Sequence, residues 1–307
     1  MALKVANFNG CKVYNLTADK VAPAFLSEAK KRALRKDENY RARLELIQDF
    51  EMTTATQCIK MSSDREHCII TGGYPPIVKC YTLSDMSMKF QRGLSSEVVA
   101  FECLSSDYGK MVFLQEDRTL AFHAPYGTHY NIRVPKFGRD LAYGWENCDL
   151  YVAASGDEMY RLNLEGGQFK EPLKLGFTGC NKVRINSKHR LLAAGGEGGI
   201  VELWDTRAKN SAASINVANA NASSHEGNAD ITALTWDTDG LTLGVGTSTG
   251  NCLLYDIRSS VPIHEKEHQY GLPVIDVAFH GSGSSRHVLS TDKKIVKYKE
   301  LGNRVEK

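Results

Sequence analysis

Long apolar runs are missing from this chain: no stretch of about 18 or more apolar residues occurs, so no ordinary transmembrane helix is encoded. The opening Met1–Asn7 lacks the apolar stretch of a secretory signal, and a secretory route is not expected. Excess charge of either sign is missing too. With 38 Lys+Arg against 36 Asp+Glu and a formal net charge of +2, bulk electrostatics demand no nucleic-acid partner, and any basic surface must be local. The 8 cysteines stand singly, at Cys11, Cys58, Cys68, Cys80, Cys103, Cys148, Cys180 and Cys252, and form neither a CxxC pair nor a disulfide framework. Most lie in apolar, strand-like stretches, where a reduced cysteine acts as a small buried hydrophobe. A reducing, intracellular compartment is expected, and the sequons at Asn15 and Asn221 are not expected to carry glycans.

Catalytic signatures are also lacking. There is no Walker-type phosphate loop and no nucleophile elbow. Gly244–Gly250 has the look of a dinucleotide loop but leads into a strand, so no helix N-terminus is there to hold a pyrophosphate. Gly195–Gly199 reads the same way, as a hairpin cluster, and Gly281–Ser285 as a flexible turn. His264 and His268 are four residues apart, but Pro262 and Gly271–Pro273 oppose the helix that a metal pair at that spacing needs. Carboxylates are scattered without an acid/base couple. No enzymatic activity, cofactor, metal or small-molecule substrate is expected.

What is present is a repeat. The 307 residues, 42% hydrophobic and 24% charged, suffice for a sizeable core. The clearest copy runs Val183–Asn186, then Arg190–Gly196, then Gly199–Asp205; the next runs Ile231–Trp236, Leu241–Gly246 and Gly250–Asp256. Weaker copies span Thr56–Tyr81, Val98–Phe122, Asp140–Asn163 and Val274–Tyr298. Apolar and polar residues alternate as in strands with one buried face. The copies recur at roughly 40–50 residues, the period of four-stranded propeller blades. Trp204-Asp205 closes a third strand with an intact Trp-Asp dipeptide, and Tyr255-Asp256 is a near match. Glycines before the third strands suit tight turns with positive φ.

The expected fold is all-β: a WD40-like β-propeller with about six blades in sequence and an N-terminal helical insertion. Four segments follow: an N-terminal strand closing the propeller (1–19), a basic helical insertion (20–52), the blades (53–299) and a polar tail (300–307). Ring closure with six blades and an incomplete seven-bladed ring are both open, the second being preferred. Within the insertion, Leu26, Ala29 and Ala33 and then Tyr40, Leu44 and Ile47 form narrow apolar stripes at helical spacing. Lys30, Lys31, Arg32, Arg35, Lys36, Arg41 and Arg43 surround them. Two readings stand: a solvated helical decoration, or an arm docking on phosphates or acidic protein surfaces. Two loops are further partner or RNA-binding candidates, at Lys136, Phe137 and Arg139 and at His268, Gln269 and Tyr270, against the alternative that Phe137 and Tyr270 pack between blades.

Several stretches resemble one family. Lys30–Lys36 followed by Arg43–Met52, then Val134–Asp140, Val201–Arg207 and His268–Val274, are similar, in order and across nearly the whole chain, to the nucleolar protein ten family, called essential nuclear protein two in yeast. The resemblance implies a nucleolar, non-catalytic scaffold of the small-subunit processome. Its partners would be other ribosome assembly factors, precursor rRNA and the U3 snoRNA particle, with no membrane. The family continues past the position of Tyr298 into the rest of its propeller, a short domain and a charged C-terminal region. Glu300–Lys307 does not match that continuation, and a shortened chain is expected. A protein-interaction propeller of another complex, such as a chromatin or ubiquitin-ligase adaptor, is the alternative.

Overall fold

In a computed structural model, the described residues are 4–8, 11–15, 27–34, 36, 52, 55–84, 87–208, 210–217, 229–281 and 286–301. The chain divides into two compact units: residues 1–97 with 106–108, and residues 98–105 with 109–307.

The first unit holds a hairpin, a short helix and one blade. Strand β1 (Lys4–Phe8) pairs antiparallel with β2 (Cys11–Asn15). Closure of a ring by 1–19 is thus still a proposal; the strand's described partner is β1. The basic segment provides one helix, α1 (Glu28–Leu34). Its alanines, Ala29 and Ala33, are exposed, so the apolar stripe expected there is not buried, and Leu26 and the second stripe lie outside the described residues. The blade is the meander β3 (Thr56–Met61), β4 (His67–Gly72), β5 (Ile77–Thr82) and β6 (Ser87–Gly93).

The second unit carries five consecutive blades. The first is β7 (Val98–Cys103), β8 (Met111–Gln115), β9 (Thr119–Ala124) and β10 (Gly127–Arg133). The next is β11 (Gly138–Gly144), β12 (Asp149–Ala154), β13 (Glu158–Asn163) and β14 (Gln168–Lys174). There follow β15 (Cys180–Ile185), β16 (Leu191–Gly196), β17 (Ile200–Asp205) and β18 (Ser211–Asn216). Then come β19 (Ile231–Trp236), β20 (Thr242–Thr247), β21 (Asn251–Asp256) and β22 (Pro262–Glu267). The last blade has three strands among the described residues, β23 (Asp276–His280), β24 (Arg286–Thr291) and β25 (Val296–Leu301). The sixfold repeat read from the sequence is therefore the sixfold repeat of antiparallel sheets, and the fold is an all-β propeller.

Within this unit the first strands β7, β11, β15, β19 and β23 pack side by side in chain order, which makes them the inner strands. The core sits between blades. Leu114, Leu120, Leu141 and Val152 fill one interface; Tyr151, Met159, Val183, Leu192 and Trp204 the next; Leu203, Leu234, Val245 and Tyr255 a third. The middle blades bury both faces, so their second strands are apolar on consecutive residues, as in Met111–Leu114 and Leu150–Ala154, whereas β24 of the last blade alternates buried and half-buried residues.

The glycine clusters divide by role. Gly198, Gly199 and Gly250 have φ of 76°, 72° and 90° and make the turns before β17 and β21. Gly195 instead lies inside β16, where a Cβ would meet Ile231 Cγ2 at 2.6 Å; it is there for close approach of the next blade. Asp205 and Asp256 each accept a backbone N–H two residues on, from Arg207 (3.0 Å) and Arg258 (3.1 Å), which fixes the turn into the fourth strand.

Candidate partner-binding face

In an antiparallel meander the second-to-third-strand turn and the link to the next blade emerge at the same end of the sheet. At that end of the second unit, charged groups from three neighbouring blades meet. Arg118, in the turn between β8 and β9, adopts φ of 68°. Its guanidinium donates to the Pro135 carbonyl at 3.0 Å and stands 5.2 Å from the Phe137 ring centre. Phe137 is anchored through its backbone, its carbonyl accepting from Ser155 N–H at 2.9 Å, while its ring is 57% exposed. Phe137 is thus more than half exposed and not buried between blades. Lys136 crosses Gly156 to reach Asp157 at 3.4 Å, both groups remaining well exposed.

Arg139 ties two blades together, donating to Asn181 Oδ1 at 2.5 Å and Glu197 Oε1 at 2.7 Å. Glu197 also accepts from the Thr178 hydroxyl at 3.2 Å, and the bond from Arg139 holds its carboxyl below the ordinary carboxylate range. The Gly198 N–H donates to Asp230 Oδ1 at 3.0 Å, carrying the chain of polar contacts to the following blade. Arg139 is thus half spent on structure; Lys136 and Phe137 face solvent, with the half-buried Arg118 beside them.

The second candidate loop splits. His268 is buried: its ring nitrogens lie 2.8 Å from Ser290 Oγ and 3.2 Å from Asp292 Oδ2. Asp292 also accepts the N–H groups of Ile295 and Lys294 at 2.6 Å, and these bonds, reinforced by His268, hold its carboxyl below the ordinary range. That network locks the entry into the last blade, so His268 offers nothing to a partner. Gln269 is exposed, and Tyr270 is 51% exposed with Lys294 Nζ 4.5 Å above its ring. His264 is exposed on β22, near Lys299, and burial together with that ammonium lowers its pKa.

Of the basic segment in the first unit, Lys30, Arg32 and Lys36 are exposed and Lys31 lies in α1; Arg35, Arg41 and Arg43 fall outside the described residues. The residues that sequence reading missed, Arg118, Asp157, Glu197 and Lys294, all sit in turns of three or four residues between second and third strands. Charged residues at those repeat positions were the available signal. One cluster of metal-ligating types occurs among the described residues, Asp64 and Glu66 in the turn after β3 and His67 at the start of β4. There Asp64 is engaged by the Ser62 hydroxyl and by Glu66 N–H at 2.9 Å, a turn-capping arrangement.

Comparison with known proteins agrees with this architecture. Residues 4–305 match the family model described as "Nucleolar protein 10-like, N-terminal domain". Human Nucleolar protein 10 is 46% identical over 299 residues, which cover 96% of this chain and 43% of the relative. The Ribosome biogenesis protein enp2 homolog of Schizosaccharomyces pombe is 42% identical over 309 residues, 97% of this chain and 49% of the relative. Ribosome biogenesis protein ENP2 of Saccharomyces cerevisiae is 40% identical over 306 residues, 97% and 42%. The chain therefore spans less than half the length of these relatives. With nearly its whole length matched and its repeat seen as blades, the chain belongs to the nucleolar protein 10-like family, through that family's N-terminal β-propeller domain.

Proposed function

We propose that this chain acts in the nucleolus as a non-catalytic propeller scaffold of ribosome biogenesis, within the small-subunit processome, where it works alongside other assembly factors, precursor rRNA and the U3 snoRNA particle. The names of the relatives support the coarse role. The observation that carries the docking part is the end face where Arg118, Lys136 and the exposed Phe137 ring lie together on rigid inter-blade links. An aromatic anchor rimmed by half-satisfied cations is the composition of a protein or nucleic-acid contact surface. The exposed Lys30, Arg32 and Lys36 are proposed as a second contact, acting with Lys31, Arg35, Arg41 and Arg43.

Affinity purification of the tagged chain from nuclear extract tests this reading. Small-subunit assembly factors, U3 RNA and precursor rRNA are expected in the eluate; their absence refutes the processome role. Arg118→Glu with Phe137→Ala is expected to lower recovery at least tenfold. Charge reversal at Lys30, Lys31, Arg32, Arg35 and Lys36 is scored separately, and unchanged recovery would make that segment a decoration.

A further inference from the structure

At the opposite end of the same blades a small aromatic pocket opens between β11–β12 and β15–β16. The chain has 3 tryptophans; Trp204 is buried and Trp236 half-buried, but Trp145 is 52% exposed. Trp145 follows β11 in a turn and packs edgewise on Tyr143, ring centres 5.4 Å apart at 62°. Together with Tyr151 and Ile185 these rings line a cleft of about 280 Å³, with Asn147, Ser187 and Arg190 at its rim. That is below the roughly 300–1,000 Å³ of a drug-sized ligand site and suits a single ring system.

Two polar features fit a flat, hydrogen-bonding occupant. Asn147 and Ser187 are exposed and present further donors and acceptors. Arg190, held with φ of 63° and 44% of its side chain exposed, stands at the mouth with Lys188 exposed two residues before it. Glu146, the carboxylate at the rim, is ion-paired with Arg190, but both side chains are about half exposed, and an exposed pair is held weakly, so the Arg190 guanidinium can exchange the carboxylate for a phosphate. An aromatic wall, hydrogen-bonding groups in the plane of a stacked ring and cations for a phosphate are the parts of a single-strand nucleic-acid site.

We propose that this pocket takes one unpaired base of single-stranded RNA, stacked on Trp145, with the adjoining phosphate on Arg190. The choice of RNA rests on the ribosome-biogenesis reading; the pocket does not. Stacking on one aromatic ring is expected to change affinity by about tenfold to a hundredfold on truncation.

Because Trp145 is the most exposed tryptophan, its fluorescence reports occupancy of the 307-residue protein directly. Titration with short oligoadenylate and oligouridylate is expected to give saturable quenching that weakens as salt is raised. With fluorescein-labelled oligonucleotides read by anisotropy, Trp145→Phe is expected to retain binding. Trp145→Ala is expected to lose at least tenfold and Arg190→Ala to reduce the salt dependence, with thermal midpoints unchanged. No saturable quenching, or full affinity in Trp145→Ala, overturns the proposal. Equal affinity for free AMP overturns the strand part in favour of a nucleotide, and tighter binding of a lysine-rich peptide overturns it in favour of a protein ligand. Failure here leaves the recovery of assembly factors untouched, since that is read through the other end face and the basic segment.

Discussion

Asp140 and Arg184 join two neighbouring blades near the inner strands. Asp140 is buried and accepts from the Arg184 guanidinium at 2.6 Å and from Val183 N–H at 3.2 Å. Burial by itself lowers the Arg184 pKa, but Asp140, with Glu102 and Asp276 more remotely, outweighs it, so the guanidinium stays charged. Asp140→Ala therefore strands a cation and a backbone donor. Breaking a fully buried pair costs about 3–5 kcal/mol. Arg184 keeps 28% side-chain exposure and two further carboxylates nearby, which reduces the expectation to about 2–3 kcal/mol. At about 2–4 °C per kcal/mol for a unit of this size, the thermal midpoint falls by about 5–10 °C. The double variant Asp140→Leu, Arg184→Met removes both charges and is expected to recover most of the loss, because a well-packed apolar pair replaces an ion pair at little cost. Scanning calorimetry of the wild type, Asp140→Leu, Arg184→Met and the double closes the cycle. A shift below about 2 °C in Asp140→Ala, or a double variant less stable than either single, would refute the inter-blade account.

Four further outcomes follow from the same geometry. Burial acts to raise the Asp149 pKa, but hydrogen bonds from Lys170, Asn163 and Arg161 outweigh it and leave it lowered. Its stabilisation is thus present above the unfolded value of about 4 and lost as pH falls through the lower folded value, so Asp149→Asn should flatten the acid limb of a urea-stability profile below pH ~4. Gly195→Ala drives a methyl into Ile231 Cγ2 and is expected to destabilise by about 1–3 kcal/mol by denaturant titration, and by less in an Ile231→Ala background, where that carbon is gone. His268→Ala should lower the thermal midpoint and speed hydrogen exchange in β24 while leaving partner recovery unchanged, because the ring works inside the blade. Burial pushes the Cys252 thiol up to about 11 and Cys180 higher, so native alkylation at neutral pH should spare both; rapid labelling of either would contradict the packing.

Much of this architecture is legible in one sequence because a propeller is built from local meanders. Each copy of strand, turn, strand, turn, strand appears in the residues from Thr56 to Tyr298, and the turn glycines and the Asp of Trp204-Asp205 mark the corners. Legibility falls where a residue's neighbours come from another blade. Gly195 reads as a hairpin residue until Ile231 is placed against it. His268 and Tyr270 read as one loop motif, yet the ring at 268 turns inward to Ser290 and Asp292 and the ring at 270 turns out. Trp145 carries no motif; it gains meaning beside Tyr143, Tyr151 and Arg190, which come from two blades.

The sequence alone determined the sheet class and the repeat, since hydrogen-bonded turns and strand-length apolar runs are short-range and leave a periodic trace; the family showed in particular stretches such as Lys30–Lys36 and Val201–Arg207. Tertiary structure alone decided which members of each motif face solvent, because that choice depends on the packing of one blade on the next. It gave Phe137 and Lys136 to the surface, with the half-buried Arg118 beside them, and His268 and Asp140 to the interior.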